Sequence, residues 1–176
     1  EVTLVSGPVS LNPPFGVRTV YATTARDMLE AVKRSLTGTD IFIGVAAVAD
    51  YHPVFVSPRK LKKSATHLTV ELAPNPDILS FVAALPKPPF CVGFAAETEN
   101  LEAYADAKRR RKKVPLIAAN LAQSAIGADE NELILLDDAG RHHLPKGPKL
   151  TVARQLIQHV AKLIAASPAG ARGKRR

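Results

Sequence analysis

Acidic, basic and small residues follow one another between residues 41 and 63 in an order that suits a phosphate-bearing ligand. The apolar run at 41–45 is typical of a buried parallel strand, and small residues then lead to Asp50. Ligands of open α/β sheets bind outside the carboxyl ends of the strands, so Asp50 would meet the ligand or its metal ion. Lys60, Lys62 and Lys63 follow on a loop. As alternatives, Asp50 is a turn residue and the lysines form a solvated cluster.

Two further strand ends and one helix start are predicted at the same edge of the sheet. Phe94 belongs to the strand at 90–94, and Asn120 ends the strand at 116–120. Asn75 is predicted to cap a helix whose first position is Pro76, and the free N–H groups of such a helix end attract anions. A plain helix cap without a ligand is the alternative.

Basic side chains, one cysteine and five histidines complete the candidates. Lys108 and Lys112 are one helical turn apart, so they could grip two phosphate oxygens while the arginines at 109–111 point elsewhere. A solvated basic face is the alternative. Cys91 lies inside an apolar strand and is predicted to be inert. Because His142 and His143 are adjacent on a strand and the other histidines show no ligand spacing, the sequence argues against a zinc site.

The elements that position these residues alternate between strands and helices. A capping-box pattern at 24–27 opens a helix that ends near residue 36, and with the flanking strands it predicts a right-handed crossover. The predicted strands are 2–6, 41–45, 67–72, 90–94, 116–120, 132–137 and 141–144, and the predicted helices 24–36, 75–85, 101–112 and 149–165. The fold class is α/β: a Rossmann-like three-layer fold with a mostly parallel sheet, an antiparallel edge hairpin and a long flap loop at 51–75.

Composition favours one domain at residues 1–166 and a disordered basic tail at 167–176. Of the 176 residues 46% are hydrophobic and 5% aromatic, which favours an aliphatic interior over a base-stacking platform. The net charge of +8 is local, because the tail and the KRRRKK run at 108–113 carry much of it. A single cysteine excludes an internal disulfide, and no apolar run is long enough to span a membrane. We therefore expect a cytoplasmic protein.

Four motifs together resemble one enzyme family. GVAAVADY at 44–51, KLKK at 60–63, NPDIL at 75–79 and GFAAET at 93–98 resemble the phosphopantothenoylcysteine synthetase domain of the bacterial bifunctional phosphopantothenoylcysteine decarboxylase/phosphopantothenate–cysteine ligase. The similarity covers nearly the whole chain and thins after about residue 140. It implies CTP-dependent ligation of L-cysteine to 4'-phosphopantothenate through an acyl cytidylate, in coenzyme A biosynthesis.

The resemblance also implies roles for individual residues. Asp50 would bind the nucleotide or its Mg²⁺, Lys60 would act catalytically from a mobile flap, and Phe94 would pack on the nucleotide. The implied nucleotide-binding residues are Gly44, Val45, Ala46, Asp50, Lys60, Pro76, Asp77, Ile78, Leu79, Phe94, Lys108 and Lys112.

Family members carry a main catalytic asparagine in a segment that would precede residue 1 here. We therefore expect this chain to bind CTP and make no product. FMN would belong only to a fused decarboxylase domain, and a homodimer is expected, with neither nucleic acid nor membrane as partner. The rival interpretations are a basic nucleic-acid-binding module and a Rossmann-like nicotinamide dehydrogenase. The second lacks the GxGxxG fingerprint.

Overall fold

The computed structural model describes residues 1–61, 67–125 and 127–166. Lys62, Lys63 and the predicted tail therefore lie outside the described residues. The chain divides into two units, one of Glu1–Thr39 with Ala46–Ile78 and the other of Asp40–Val45 with Leu79–Arg176. In the part of the chain that is described, no helix combines the length and the apolar character needed to cross a membrane.

The first unit begins with two short parallel strands and a capped helix. Strand β1 (Thr3–Ser6) pairs with β2 (Arg18–Tyr21), and helix α1 spans Ala25–Ser35. The predicted capping box is confirmed, because the Asp27 N–H donates to Thr24 Oγ1 and the Thr24 N–H donates to Asp27 Oδ2, each at 3.0 Å. The predicted crossover from β1 is wrong, because β1 pairs with β2 in a two-stranded sheet whereas β3 belongs to the five-stranded sheet. The sequence of β2, Arg18–Tyr21, has no continuous apolar run that would have revealed it.

The excursion after Asp50 is a two-stranded ribbon at its base. Strand β4 (Tyr51–Pro53) pairs antiparallel with β5 (Leu72–Pro74). Pro53 and Pro74 lack the N–H that would extend the ladder, which keeps both strands short. The strand predicted at 67–72 is therefore wrong in position. The predicted flap loop is anchored by this ribbon.

The second unit is built on a five-stranded sheet. Its elements in chain order are β3 (Ile41–Gly44), β6 (Phe90–Glu97), α3 (Leu101–Lys112), β7 (Leu116–Leu121), α4 (Ala122–Ala125), β8 (Glu130–Asp137), β9 (Gly140–Pro148) and α5 (Lys149–Ala166). The sheet order is β3-β6-β7-β8-β9. The first three strands are parallel, and β8 and β9 form the antiparallel edge hairpin that the sequence predicts.

Both faces of this sheet are covered. Leu116 and Ala118 of β7 pack in one buried cluster with Val152 and Leu156 of α5. Ile117 points to the opposite face, where a Cβ on Gly93 would meet both Ile117 and Leu79 of helix α2 (Ile78–Ala83). Helix, sheet and helix therefore form the three layers expected from the sequence.

Candidate functional site

A cavity of about 440 Å³ lies at the carboxyl edge of the five-stranded sheet. Val45 directly follows β3, Phe94 and Ala96 lie on β6, and Asn120 lies near the end of β7. The lining includes Val45, Phe94, Ala96, Asn120, Leu133 and Lys149. The cavity therefore occupies the position where α/β sheets bind their ligands. It brings together two of the predicted nucleotide contacts, Val45 and Phe94.

The polar groups of the cavity include two residues that the sequence reasoning missed. Asn131 Oδ1 accepts hydrogen bonds from Asn120 Nδ2 at 3.2 Å and from the Glu132 N–H at 2.9 Å, so the amide orientation is fixed. Lys149 is the first residue of α5, and its own N–H donates to the Asp129 carbonyl at 3.1 Å. A lysine at the positive end of a helix favours an anionic group. The sequence could have identified Lys149, because it stands at the predicted start of the last helix. No sequence pattern pointed to Asn131.

Two paired glycines fix how helix α2 meets the sheet. Gly44 lies opposite Gly93 in the β3–β6 register. A Cβ on Gly93 would stand 2.6 Å from Leu79 Cδ2 and from Ile117 Cδ1, and a Cβ on Gly44 would stand 3.6 Å from Leu79 Cδ1. Leu79 therefore packs its buried side chain on the sheet. A nucleotide contact at this residue would involve its backbone.

In the first unit Asn75 joins the ends of two predicted nucleotide-binding motifs. Its Nδ2 donates to the Ala49 carbonyl at 2.9 Å, and its N–H donates to the Asp50 carbonyl at 2.7 Å. The prediction that Asn75 caps a helix starting at Pro76 is therefore wrong, since α2 begins at Ile78. The same contacts hold Asp50 close to the Asn75–Pro76–Asp77 segment.

The Asp50 side chain itself is exposed, as is that of Ala46, so both are accessible to a ligand in this unit. Magnesium is usually bound through one or two carboxylates together with the phosphates of a substrate. An accessible carboxylate at Asp50 fits that requirement.

Lys60 is exposed and lies seven positions after the last residue of β4, Pro53. A turn precedes it, in which Ser57 Oγ donates to the Arg59 carbonyl at 2.7 Å and accepts from the Arg59 N–H at 3.2 Å. Pro53, Pro58 and this turn restrict the backbone conformation before Lys60, while the Lys60 side chain extends into solvent. That placement agrees with a flap residue and equally with a solvated cation.

Helix α3 carries Lys108, Lys112 and the three arginines at 109–111. Lys108 and Lys112 are half-buried. Arg109 bonds to Asp106 at 3.2 Å and to Asp138 at 2.7 Å, and Arg110 bonds to Asp106 at 2.7 Å. The hydrogen bond with Asp138 raises the pKa of Arg109 above its ordinary value. Two arginines of the KRRRKK run are thus engaged within the protein.

Neither Lys108 nor Lys112 is among the residues that line the cavity. Lys108 lies seven positions after the start of α3 at Leu101, which is about 10 Å along the helix axis. A ligand held in the cavity would have to extend along α3 to meet these lysines.

An Asp–His cluster lies elsewhere in the second unit, and it corrects the sequence-based argument from histidine spacing. His159 Nε2 is 2.8 Å from Asp137 Oδ2, and His142 Nε2 is 3.1 Å from the same oxygen. Burial raises the pKa of Asp137, but hydrogen bonds with His159, His142 and the Ala139 N–H outweigh it and hold the pKa below its ordinary value. Three potential metal ligands therefore meet at one point.

Cys91 is a buried core residue, as its sequence context predicts. Burial raises the pKa of its thiol to about 11. A thiol with so high a pKa is a poor nucleophile near neutral pH.

Comparison with known proteins places the chain in a family. The family described as DNA/pantothenate metabolism flavoprotein C-terminal domain matches residues 1–164. The chain belongs to this family. A relative named coenzyme A biosynthesis bifunctional protein CoaBC, from Escherichia coli, is 46% identical over 167 residues, which cover 91% of this chain and 41% of the relative. The chain thus spans less than half the length of that relative.

Solved structures agree with this membership. The crystal structure of the C-terminal domain of a CoaBC protein superimposes with a TM-score of 0.79 at 36% identity, over 95% of this chain and 76% of that one. A Cab2 mutant in complex with phosphopantothenate-cysteine gives a TM-score of 0.57 at 19% identity, over 83% and 55%, and shows the fold alone. The motif resemblance and the fold class are therefore confirmed. The roles of the individual site residues stay predictions.

Proposed function

We propose that this DNA/pantothenate metabolism flavoprotein C-terminal domain acts in coenzyme A biosynthesis as a phosphopantothenate–cysteine ligase that uses CTP. The observation that carries the proposal is the cavity at the carboxyl edge of β3, β6 and β7, where Val45 and Phe94 meet. Those residues belong to the GVAAVADY and GFAAET motifs, and the CoaBC relative bears a coenzyme A biosynthesis name.

The proposed reaction has two steps. The carboxylate of 4'-phosphopantothenate attacks the α-phosphate of CTP and releases pyrophosphate, giving an acyl cytidylate. The cysteine amine then attacks the acyl carbon and expels CMP, which leaves the amide. Charge develops on phosphorus and on the leaving pyrophosphate, so fixed positive groups would lower the barrier.

The residues of this chain divide those tasks. Phe94 and the backbone at Val45 would bind the base or ribose, and Lys108 and Lys112 would hold phosphate oxygens. Asp50 would hold Mg²⁺, which supplies charge neutralisation on the phosphates when bound. Lys60 would act on the developing charge from the ribbon. We further propose a homodimer in the cytoplasm, a compartment that fits the single cysteine.

The Asp50→Asn variant tests the metal-binding role. It should weaken binding of CTP with Mg²⁺ about tenfold, since a charge-assisted contact is worth about 1.5–3 kcal/mol. Folding should be nearly unchanged because the side chain is exposed. Isothermal titration of CTP at fixed Mg²⁺ measures the affinity.

The control is Glu71→Gln, which removes another exposed carboxylate from the same unit. It should bind CTP like the unaltered protein. If Asp50→Asn binds CTP normally but loses much stability, Asp50 is a structural turn residue and the proposed role fails.

The Lys108→Gln variant tests whether α3 contributes to phosphate binding. We expect CTP affinity to fall about tenfold, the cost of one lost charged hydrogen bond. Arg111→Gln is the matched control, because it removes one charge from an exposed position of the same helix. Equal losses in both variants would show that only the summed charge of α3 matters.

A further inference from the structure

Asp137, His142 and His159 come together from three elements at the side of the second unit that carries the hairpin. Asp137 ends β8, His142 lies on β9 and His159 lies in the third turn of α5. Asp137 Oδ2 lies 2.8 Å from His159 Nε2 and 3.1 Å from His142 Nε2. None of the three residues lines the cavity described above. The nucleotide site therefore does not account for this cluster.

The carboxylate at the centre of the cluster is buried and oriented by the backbone. The Asp137 side chain is 2% exposed, that of His159 is 16% exposed, and that of His142 is 36% exposed. Asp137 Oδ1 accepts hydrogen bonds from the Ala139 N–H at 2.8 Å and the Gly140 N–H at 3.1 Å. Outer hydrogen bonds of this kind orient metal-binding carboxylates. The more exposed His142 leaves a route from solvent.

The spacing of the three atoms is close to that around a small metal ion. All of them lie within 4.8 Å of one another. Bonds of about 2.0–2.1 Å in a tetrahedral zinc site place neighbouring ligand atoms about 3.3 Å apart. The distances from the two imidazole nitrogens to Asp137 Oδ2, 2.8 and 3.1 Å, are close to that value, and the ligand atoms of the two histidines lie within 4.8 Å of each other. Three protein ligands would leave a fourth position for water.

A buried polar atom on the face of α5 that carries His159 supplies a second observation. Among the residues that the structure describes, Gln155 Oε1 is one of two buried side-chain polar atoms without a hydrogen-bond partner. Gln155 precedes His159 by four residues on α5, so the two side chains share a face of the helix. A buried acceptor without a donor is costly. A donor on this face of α5, such as a water held on a bound metal, would offset that cost.

We propose that Asp137, His142 and His159 bind a divalent transition-metal ion, for which zinc fits best, and that the ion ties α5 to the β8–β9 hairpin. Two imidazoles and one carboxylate suit zinc and its first-row neighbours, whereas magnesium prefers oxygen ligands. The site is therefore distinct in chemistry from the magnesium that accompanies a nucleotide.

The test is a titration of the purified, untagged protein with Zn²⁺ alone after EDTA treatment and removal of the chelator. Isothermal titration should give one equivalent of bound zinc. His142→Gln and His159→Gln should each weaken binding at least about 100-fold, the upper end of what the loss of a supporting contact costs. His143→Gln is the control, because His143 is paired with Glu132 outside the cluster. It should bind zinc like the unaltered protein.

A second measurement does not depend on any variant. Co²⁺ added to the metal-free protein should give the intense visible absorption of a low-symmetry nitrogen and oxygen site, and Zn²⁺ should abolish it. The proposal is overturned if the protein binds no zinc saturably, if Co²⁺ gives only the weak spectrum of the aquo ion, or if His143→Gln lowers affinity as much as the cluster variants. In each of those cases the cluster is a hydrogen-bonded Asp–His network. None of these readouts involves CTP, so they are independent of the proposed ligase function.

Discussion

Replacing Lys60 by glutamine is expected to slow pyrophosphate release from CTP about 100-fold in a ligase-active form of the protein. Loss of one preorganised charge-stabilising group typically costs 10²–10³ in rate, roughly 2.7–4 kcal/mol. CTP affinity should change little, because an exposed flap lysine would act mainly in the transition state. Single-turnover release of pyrophosphate at saturating CTP, beside a CTP titration, separates the two effects.

Arg59→Gln is the matched control for Lys60. Both residues are exposed and adjacent in the chain, so both variants remove one positive charge from the same part of the excursion that follows β4. Release should stay fast in Arg59→Gln. An unchanged rate in Lys60→Gln would show that Lys60 is only a solvated cation, as the plain interpretation of its sequence context holds.

Leu116→Ala is expected to lower the free energy of unfolding by about 2–5 kcal/mol, the usual cost of truncating a buried leucine. Leu116 is fully buried at the start of β7 and packs in the cluster formed with α5. Because β7 is the central strand of the sheet, the cavity left behind cannot be filled by movement of an edge strand. Urea denaturation measures the loss, with the slope of the transition unchanged.

Leu121→Ala makes the same chemical change at the other end of β7. Leu121 is 44% exposed, so its truncation should cost well under half as much. Similar losses in the two variants would contradict the account of the core, since burial would then not determine stability along this strand.

The second unit was predictable because its signals are local and strong. The apolar runs of β6 and β7 have the length and composition of strands buried on both faces. The run of β3 was predicted to be buried as well, but β3 is an edge strand and Ile41 is 40% exposed. The hairpin turns at 138–139, inside the predicted 138–140, and α3 and α5 have the expected bounds within two residues. The position of Val45 and Phe94 at one cavity follows directly from that sheet order.

The first unit was less predictable because its structure depends on pairing between short strands and on contacts between distant residues. Strands β2, β4 and β5 have three or four residues each and, unlike β3, carry no continuous apolar run. Asn75 has the residue type and spacing of a helix cap, but its amide instead bonds to Ala49. A long-range contact of this kind leaves no trace in the local sequence.

The histidine cluster shows a second limit of sequence spacing. His142 and His159 are far apart in the chain, and only the packing of α5 on the hairpin brings both rings to Asp137. Motif spacing detects ligands that share one element, whereas these residues come from three. The His142–His143 pair drew attention to the wrong neighbour of His142, because the His143 side chain pairs with Glu132 and lies outside the cluster.

The central claim is that the protein binds CTP in preference to other nucleotides, and thermal unfolding with Mg²⁺ and each of CTP, ATP, GTP and UTP tests it most directly. At about 100 times its Kd, CTP should stabilise the folded protein by roughly 2.7 kcal/mol. The other three nucleotides at the same concentration should stabilise it less. Equal stabilisation by all four would contradict the account, because the protein would then recognise only the triphosphate.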